Sequence, residues 1–158
     1  MLFQRVNRTN PEKIFLVAKN SWSTASLTNG QAVIWDYATD ADGVGVTKGV
    51  EGDARAGHYG VAFAGIAAET IASGDYGLLQ VYGYHSAVRV RTQTGTNPAI
   101  AAGTGLSFHK AVFCLESAPA SGIATSSVTV VNFQWCGFAL AAQVEFTTAA
   151  IAVFIKAL

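Results

Sequence analysis

Short segments of alternating apolar and polar residues recur in this sequence, and the clearest of them is Ala87–Thr92. Successive side chains of a β-strand point to opposite faces, so Val88 and Val90 would lie on one face and Arg89 and Arg91 on the other. A strand of this kind has one buried face and one wet face, as strands of antiparallel sheets commonly do.

Further strand candidates are separated by glycines and rich in β-branched or aromatic residues. They are Lys13–Ala18, Gln31–Asp36, Val44–Val50, His58–Ile66, Tyr76–Tyr84, Ser127–Leu140 and Ala149–Lys156. Ala67–Ala72 and Ala139–Gln143 are candidates for helical turns, although both are too short to form helices without tertiary support. The pattern predicts an all-β protein with at most one or two short helices.

Glycines mark the predicted turns and irregular strand positions. Asn29-Gly30 is a turn signal before one strand, and Gly74-Asp75-Tyr76-Gly77 is a tight-turn sequence before another. The second turn would begin a strand over Leu78–Tyr84, with Val88–Arg91 returning on the far side of a hairpin. Glycines inside strand patterns predict bulges or close backbone approach, and these are Gly60, Gly65, Gly77 and Gly83.

Composition narrows the class of protein. Of 158 residues, 51% are hydrophobic and 13% are charged, against about 25% charged in typical soluble domains. This high apolar content excludes a disordered chain. It indicates either that part of the surface is buried against another subunit or a partner, or that the protein has a large core. Ten basic and ten acidic residues give zero net charge, without the basic stripe typical of nucleic-acid binding. Arg89 and Arg91, with Arg5 and Arg8, form the nearest approach to a basic cluster, and a solvated strand face accounts for them.

No transmembrane helix is predicted, because polar residues interrupt every apolar stretch before it reaches 18 residues. Cys114 and Cys136 are too few for a structural zinc site. A cytosolic origin is the default expectation, and there both thiols stay reduced.

Catalytic motifs are missing from the sequence. His58, His85 and His109 lie far apart, and the metalloprotease, nucleophile-elbow and phosphate-loop motifs do not occur. Asp53 with His58, or Glu69 with His85, could form an acid–base pair in a small β-barrel enzyme, but no spacing rule favours either. The sequence thus predicts no catalytic centre, no cofactor and no metal.

One part of the sequence is rich in acidic residues. It contains Asp36, Asp40 and Asp42, and Glu51 and Asp53 follow. Spaced carboxylates can bind calcium, but the EF-hand pattern is absent, so a solvated, turn-forming role is favoured.

The three tryptophans divide into two kinds. Trp35 and Trp135 lie within apolar strand candidates, so we expect them in the core. Trp22 lies in the polar stretch Asn20-Ser21-Trp22-Ser23-Thr24, where it could contact a partner protein or form part of a carbohydrate platform.

Residues 57–92, GHYGVAFAGIAAETIASGDYGLLQVYGYHSAVRVRT, resemble the small capsid decoration, or cement, proteins of tailed bacteriophages. Gly65-Ile66-Ala67 and the run from Ile71 to Gly83 carry the resemblance. The early strand from Gly30 to Asp36 and the segments 101–106, 111–118 and 137–142 are similar in order and style.

The resemblance implies a non-enzymatic virion protein with a small antiparallel β-barrel or β-sandwich fold, tulip-like or jelly-roll-like, over residues 13–158. It implies a homo-oligomer, often a trimer, made in the host cytoplasm and seated on the outer capsid surface. Its partners would be the major capsid protein and itself, with no nucleic acid and no membrane. Residues 1–12 would form an N-terminal arm. The expected capsid or subunit contacts are Leu2, Phe3, Arg5, Val6, Trp22, Arg89 and Arg91. A carbohydrate-binding β-sandwich on a virion or cell surface is the alternative.

Overall fold

The computed structural model describes residues 12–37, 39–40, 42–48, 62–92, 99–108, 113–117, 135–143 and 148–157. Within these ranges the chain forms nine β-strands and no helix. The strands are β1 Lys13–Asn20, β2 Ala32–Trp35, β3 Gly45–Thr47, β4 Phe63–Ala67, β5 Tyr76–Arg91, β6 Gly105–Phe108, β7 Leu115–Ser117, β8 Gly137–Ala139 and β9 Thr148–Lys156. The predicted all-β class is confirmed.

The strand pairings form two circuits that share β5. In the first, β5 pairs with β1, β1 with β3, β3 with β2, β2 with β4, and β4 again with β5. In the second, β5 pairs with β7, β7 with β6, β6 with β8, β8 with β9, and β9 again with β5. The β1–β3 and β5–β7 pairs are parallel and the others antiparallel, so the sheet is mixed.

Each circuit has its own hydrophobic core. Leu79 of β5 packs in the first core with Leu27 and Ile71, while Val88 and Val90 of β5 pack in the second. β2 and β4 contribute to both, because alternate residues of these strands point to opposite sides.

β5 is one strand of 16 residues. The predicted hairpin around His85-Ser86 is therefore wrong, and a bulge against β9 between His85 and Val88 stands where the turn was expected. A bulge leaves extra residues unpaired and keeps the strand going. The prediction failed because small polar residues at a bulge resemble those of a turn.

Both predicted turns are confirmed. Gly30 has φ of 85° and precedes β2, and Gly74 has φ of 85° and precedes β5. The two predicted helical turns are not helical. Ala67 ends β4 and Ile71 forms a bridge with Leu27, and the segment after Ala139 leads to a bridge between Gln143 and Ile100.

Candidate functional site

The outward face of the first half of β5 is apolar. Leu79 and Val81 point into the core, whereas Tyr76 and Leu78 are exposed. Tyr82 is half-buried and lies beyond a register shift against β1, since Phe15 pairs with Gln80 and Ile14 with Tyr82. An antiparallel β-strand covered on one side normally shows polar residues on the other, so the absence of charge along this part of β5 is unusual.

The neighbouring strand β1 extends this apolar surface. Val17 pairs with Leu78 in register and is 62% exposed. A bulge between Ile14 and Phe15 brings both of these side chains outward, at 41% and 42% exposure. The apolar run of β1 is thus largely uncovered.

An aromatic stripe continues across the strands on the other edge of β5. The ring of Tyr82 meets that of Phe154 edge-on at 5.2 Å between centroids, and Phe154 stacks on Phe138, also at 5.2 Å and with 13° between planes. Gly105 is the register partner of Phe138. The Trp135 ring lies 3.4 Å from where a Gly105 Cβ would be, so Trp135 extends the stripe on the same side.

We call this surface the apolar face. Its members are Ile14, Phe15, Val17, Tyr76, Leu78, Tyr82, Phe138, Trp135 and Phe154. Three lysines surround it: Lys19 pairs with Tyr76, Lys156 pairs with Tyr82, and the Lys13 ammonium lies 6.0 Å from the Tyr84 ring centroid. Uncovered apolar side chains beside lysines, as on these four strands, are typical of a protein-contact site.

The backbone of β1 also favours contact with another chain. β3 pairs only with Lys19 and Asn20. Among the strands that the structure describes, the rest of β1 is paired along one edge only, by β5. An apolar strand at a sheet edge is a place where another chain can pair or pack.

The second half of β5 presents a different surface. Arg89 is exposed and Arg91 is half-exposed, and Val88 and Val90 are buried, as their alternation predicted. Both arginines line a pocket of about 340 Å³ with Lys48.

The structure brings the described predicted contact residues near one another, because Lys48 and Phe113 contact Trp22 and also line the pocket with Arg89 and Arg91. Leu2, Phe3, Arg5 and Val6 lie outside the described residues. Trp22 is half-buried and lies away from the apolar face: its ring meets Phe113 edge-on at 5.8 Å, and the Lys48 ammonium lies 4.6 Å from its centroid.

The two tryptophans expected in the core differ in their burial. Trp35 is half-buried and packs against the first core. Trp135 is 63% exposed, so its placement in the core is wrong. It lies directly before β8, outside the second core, and its ring rests on the flat backbone at Gly105.

The described acidic residues have structural roles. Asp40 accepts backbone N–H bonds from Asp42, Val44 and Gly45, and Asp36 accepts bonds from Thr39. These contacts confirm the predicted turn-forming role. Glu51 and Asp53 lie outside the described residues.

The predicted acid–base pair of Glu69 and His85 is not supported. Glu69 accepts the Leu78 N–H at 2.8 Å, and His85 lies seven residues further along β5, roughly 23 Å away in an extended strand. The His85 Nδ1 atom accepts the Ala87 N–H at 3.1 Å. Burial, and next the Lys13 charge, lowers the pKa of His85 below its usual 6.5. His58, His109 and Asp53 lie outside the described residues.

Both cysteines are free and buried. Burial raises the pKa of each thiol to about 12, so neither is a reactive thiolate at neutral pH. Within the described ranges, no group of three or more histidine, cysteine, aspartate or glutamate residues is placed to hold a metal ion. No helix formed by those residues has the length and apolar character needed to cross a membrane.

Comparison with known proteins gives a likeness in structure and none in sequence. No family model matches the chain, and no curated protein matches it. Among solved structures, the chain is similar to the head fiber gp8.5 N base of bacteriophage phi29. The TM-score is 0.48 at 10% sequence identity, covering 90% of this chain and 94% of that one.

Proposed function

We propose that this chain is a non-enzymatic structural protein of a bacteriophage virion, a capsid decoration protein that forms a trimer on the outer surface of the head. The apolar face is the observation that carries the proposal. In it, the outward sides of β1, β5, β8 and β9 expose aromatic and aliphatic side chains to solvent.

The apolar face has the composition of a protein interface. Interfaces are enriched in aromatic residues and depleted of charge at their centre, and tryptophan and tyrosine supply many of their energetically dominant contacts. Trp135 and Tyr76 are each 63% exposed. Seating this face on the major capsid protein would remove these side chains from water, and the surrounding lysines favour an acidic rim on the shell.

The sequence resemblance supports the choice of partner. The described part of the resembling stretch, from Ala62 to Thr92, forms β4, the turn at Gly74 and all of β5. β5 is the strand that both circuits share, and it carries three of the nine residues of the apolar face. The stretch that resembles decoration proteins thus builds the surface that we assign to the capsid.

Co-sedimentation with purified heads of the encoding phage tests the proposal. We expect the wild-type chain to pellet with the heads. Val17→Asp and Phe138→Asp each place a carboxylate in the apolar face and should weaken binding by at least tenfold, because the charge would have to be desolvated. Sedimentation velocity of the free protein should give the mass of a trimer.

Val44→Asp is the matched control. Val44 is 40% exposed and lies in the Asp40 turn, outside the strands of the apolar face. It should bind heads like the wild type, and all three variants should keep the wild-type melting temperature. A strictly monomeric wild type that stays in the supernatant at saturating head concentrations would overturn the proposal.

The carbohydrate alternative gains no support from Trp22. A sugar platform needs an open ring face, and the Lys48 ammonium covers one face of the Trp22 ring while Phe113 occupies its edge.

A further inference from the structure

Three cationic side chains from separate parts of the chain line one pocket of about 340 Å³. Arg89 and Arg91 come from the outward side of β5, and Lys48 follows β3. Gln31 and Thr148 contribute polar groups to the same wall, and the remaining described lining residues are Phe113 and Cys114. None of the described lining residues carries a negative charge.

Neighbouring groups hold two of these cations in place. The Arg89 Nη2 group donates to the Thr28 hydroxyl at 3.2 Å. The Lys48 ammonium lies 4.6 Å above the Trp22 ring, which meets Phe113 edge-on. A pocket whose cations are already positioned loses less side-chain entropy when an anion binds.

Gln31 is oriented as a donor. Its Oε1 atom accepts the Thr28 N–H at 2.7 Å, so the opposite side of the amide carries the two Nε2–H donors. Gln31 is buried and lines the pocket. The same Thr28 thus orients both Gln31 and Arg89.

The described residues at the pocket carry more positive charge than negative charge. Glu116 is the register partner of Arg91 across β5 and β7, and it is buried. Among the residues that the structure describes, one carboxylate beside three cations leaves an excess of two positive charges. Arg89 and Arg91 are two residues apart on one strand face, about 7 Å between Cα atoms, so their like charges repel unless an anion lies between them.

We propose that this pocket binds the phosphate or sulfate group of a small organic monoester. A tetrahedral dianion matches the two excess charges better than a carboxylate, and its several acceptor oxygens suit two guanidinium forks, an ammonium and an amide. The Thr148 hydroxyl is a further donor. The Phe113 ring gives an apolar wall for the organic part of the ligand, and the pocket volume exceeds that of an inorganic anion.

Isothermal titration of the full-length protein tests this site without any capsid, so its outcome is separate from the capsid proposal. The probes are glycerol 3-phosphate, inorganic phosphate, inorganic sulfate and uncharged glycerol, all at one ionic strength set with chloride. We expect glycerol 3-phosphate to bind at least as tightly as inorganic phosphate, and glycerol not to bind. The two inorganic anions distinguish a phosphate site from a sulfate site.

Arg91→Gln and Lys48→Gln each remove one charge from the pocket and should weaken glycerol 3-phosphate binding about tenfold or more. Lys156→Gln is the matched control, because Lys156 lies beside the apolar face and outside the pocket. Near-ultraviolet circular dichroism verifies the fold of each variant, and having two pocket variants keeps the test decisive if one fails to fold. Equal loss of binding in Lys156→Gln, or no binding of glycerol 3-phosphate to the wild type, would overturn the proposal.

Discussion

The two halves of β5 carry different chemistry at their exposed positions. Residues 76–84 present tyrosines and a leucine to solvent, and residues 89–91 present two arginines. The bulge between His85 and Val88 determines which residues of the second half are exposed. Before it, Gly83 and His85 are buried, and after it, Val88 and Val90 are buried. Strict alternation would have buried Arg89 and Arg91, so the bulge keeps charge out of the core while the strand continues.

The largest expected effect is a difference in stability between a substitution at a buried position and one at an exposed position of the first half of β5, residues 76–84. Leu79 is fully buried in the first core, and its neighbour Leu78 is 40% exposed on the apolar face. Leu79→Ala should lower the free energy of unfolding by about 2–5 kcal/mol through lost burial and a cavity. Leu78→Ala should change it by about 0.5 kcal/mol or less.

Urea unfolding of the two variants measures this difference, and each leucine serves as the other's matched control because both lose the same atoms. Leu78→Ala should also weaken co-sedimentation with heads. Similar destabilisation by both substitutions would mean that the outward side of β5 is part of the fold's own core.

Much of the strand pattern could be predicted from the sequence. β1, β2, β5 and β9 lie where apolar runs or alternation placed them, and glycines at close approaches were recognised. β6 and β7 were missed. They are four and three residues long, too short for a period to show, and tertiary pairing defines them instead.

The apolar face could not be predicted, because an apolar run has the same appearance whether it is buried or exposed. The run Lys13–Ala18 predicted a strand but not which of its side chains are buried, and Val17 is among the most exposed large side chains described. Trp135 was placed in the core for the same reason. Arg89 and Arg91 were recognised as an outward pair, but only the fold brings Lys48 and Gln31 to them.

A second prediction concerns the close contact between the first half of β5 and the backbone that leads into β1. Gly83 has φ of 98°, and a Cβ there would overlap the Glu12 carbonyl oxygen at the start of β1. Gly83→Ala should cost about 1–3 kcal/mol of unfolding free energy through backbone strain and should displace β1 from β5.

Thermal melting measures this loss, and Gly74→Ala is the control. Gly74 also has a positive φ, of 85°, but a Cβ there meets no atom within 4 Å. We expect it to cost less than Gly83→Ala and to leave head binding unchanged. Equal effects would show that strain alone matters and that the contact between Gly83 and β1 does not.

The smallest expected effect is a pH dependence at the bulge between the two halves. The His85 Nδ1 atom accepts the Ala87 N–H there, and burial, followed by the Lys13 charge, lowers the pKa of His85 below 6.5. The folded protein therefore favours the neutral imidazole. Its contribution to stability is complete above pH 6.5, where the unfolded chain is also neutral, and is lost as the pH falls through the lowered folded pKa. Urea midpoints of the wild type and His85→Gln between pH 7.5 and pH 5.5 test this, because the two chains differ only at His85. The stability advantage of the wild type should shrink on acidification, and an advantage that stays constant would place the proton-sensitive group elsewhere.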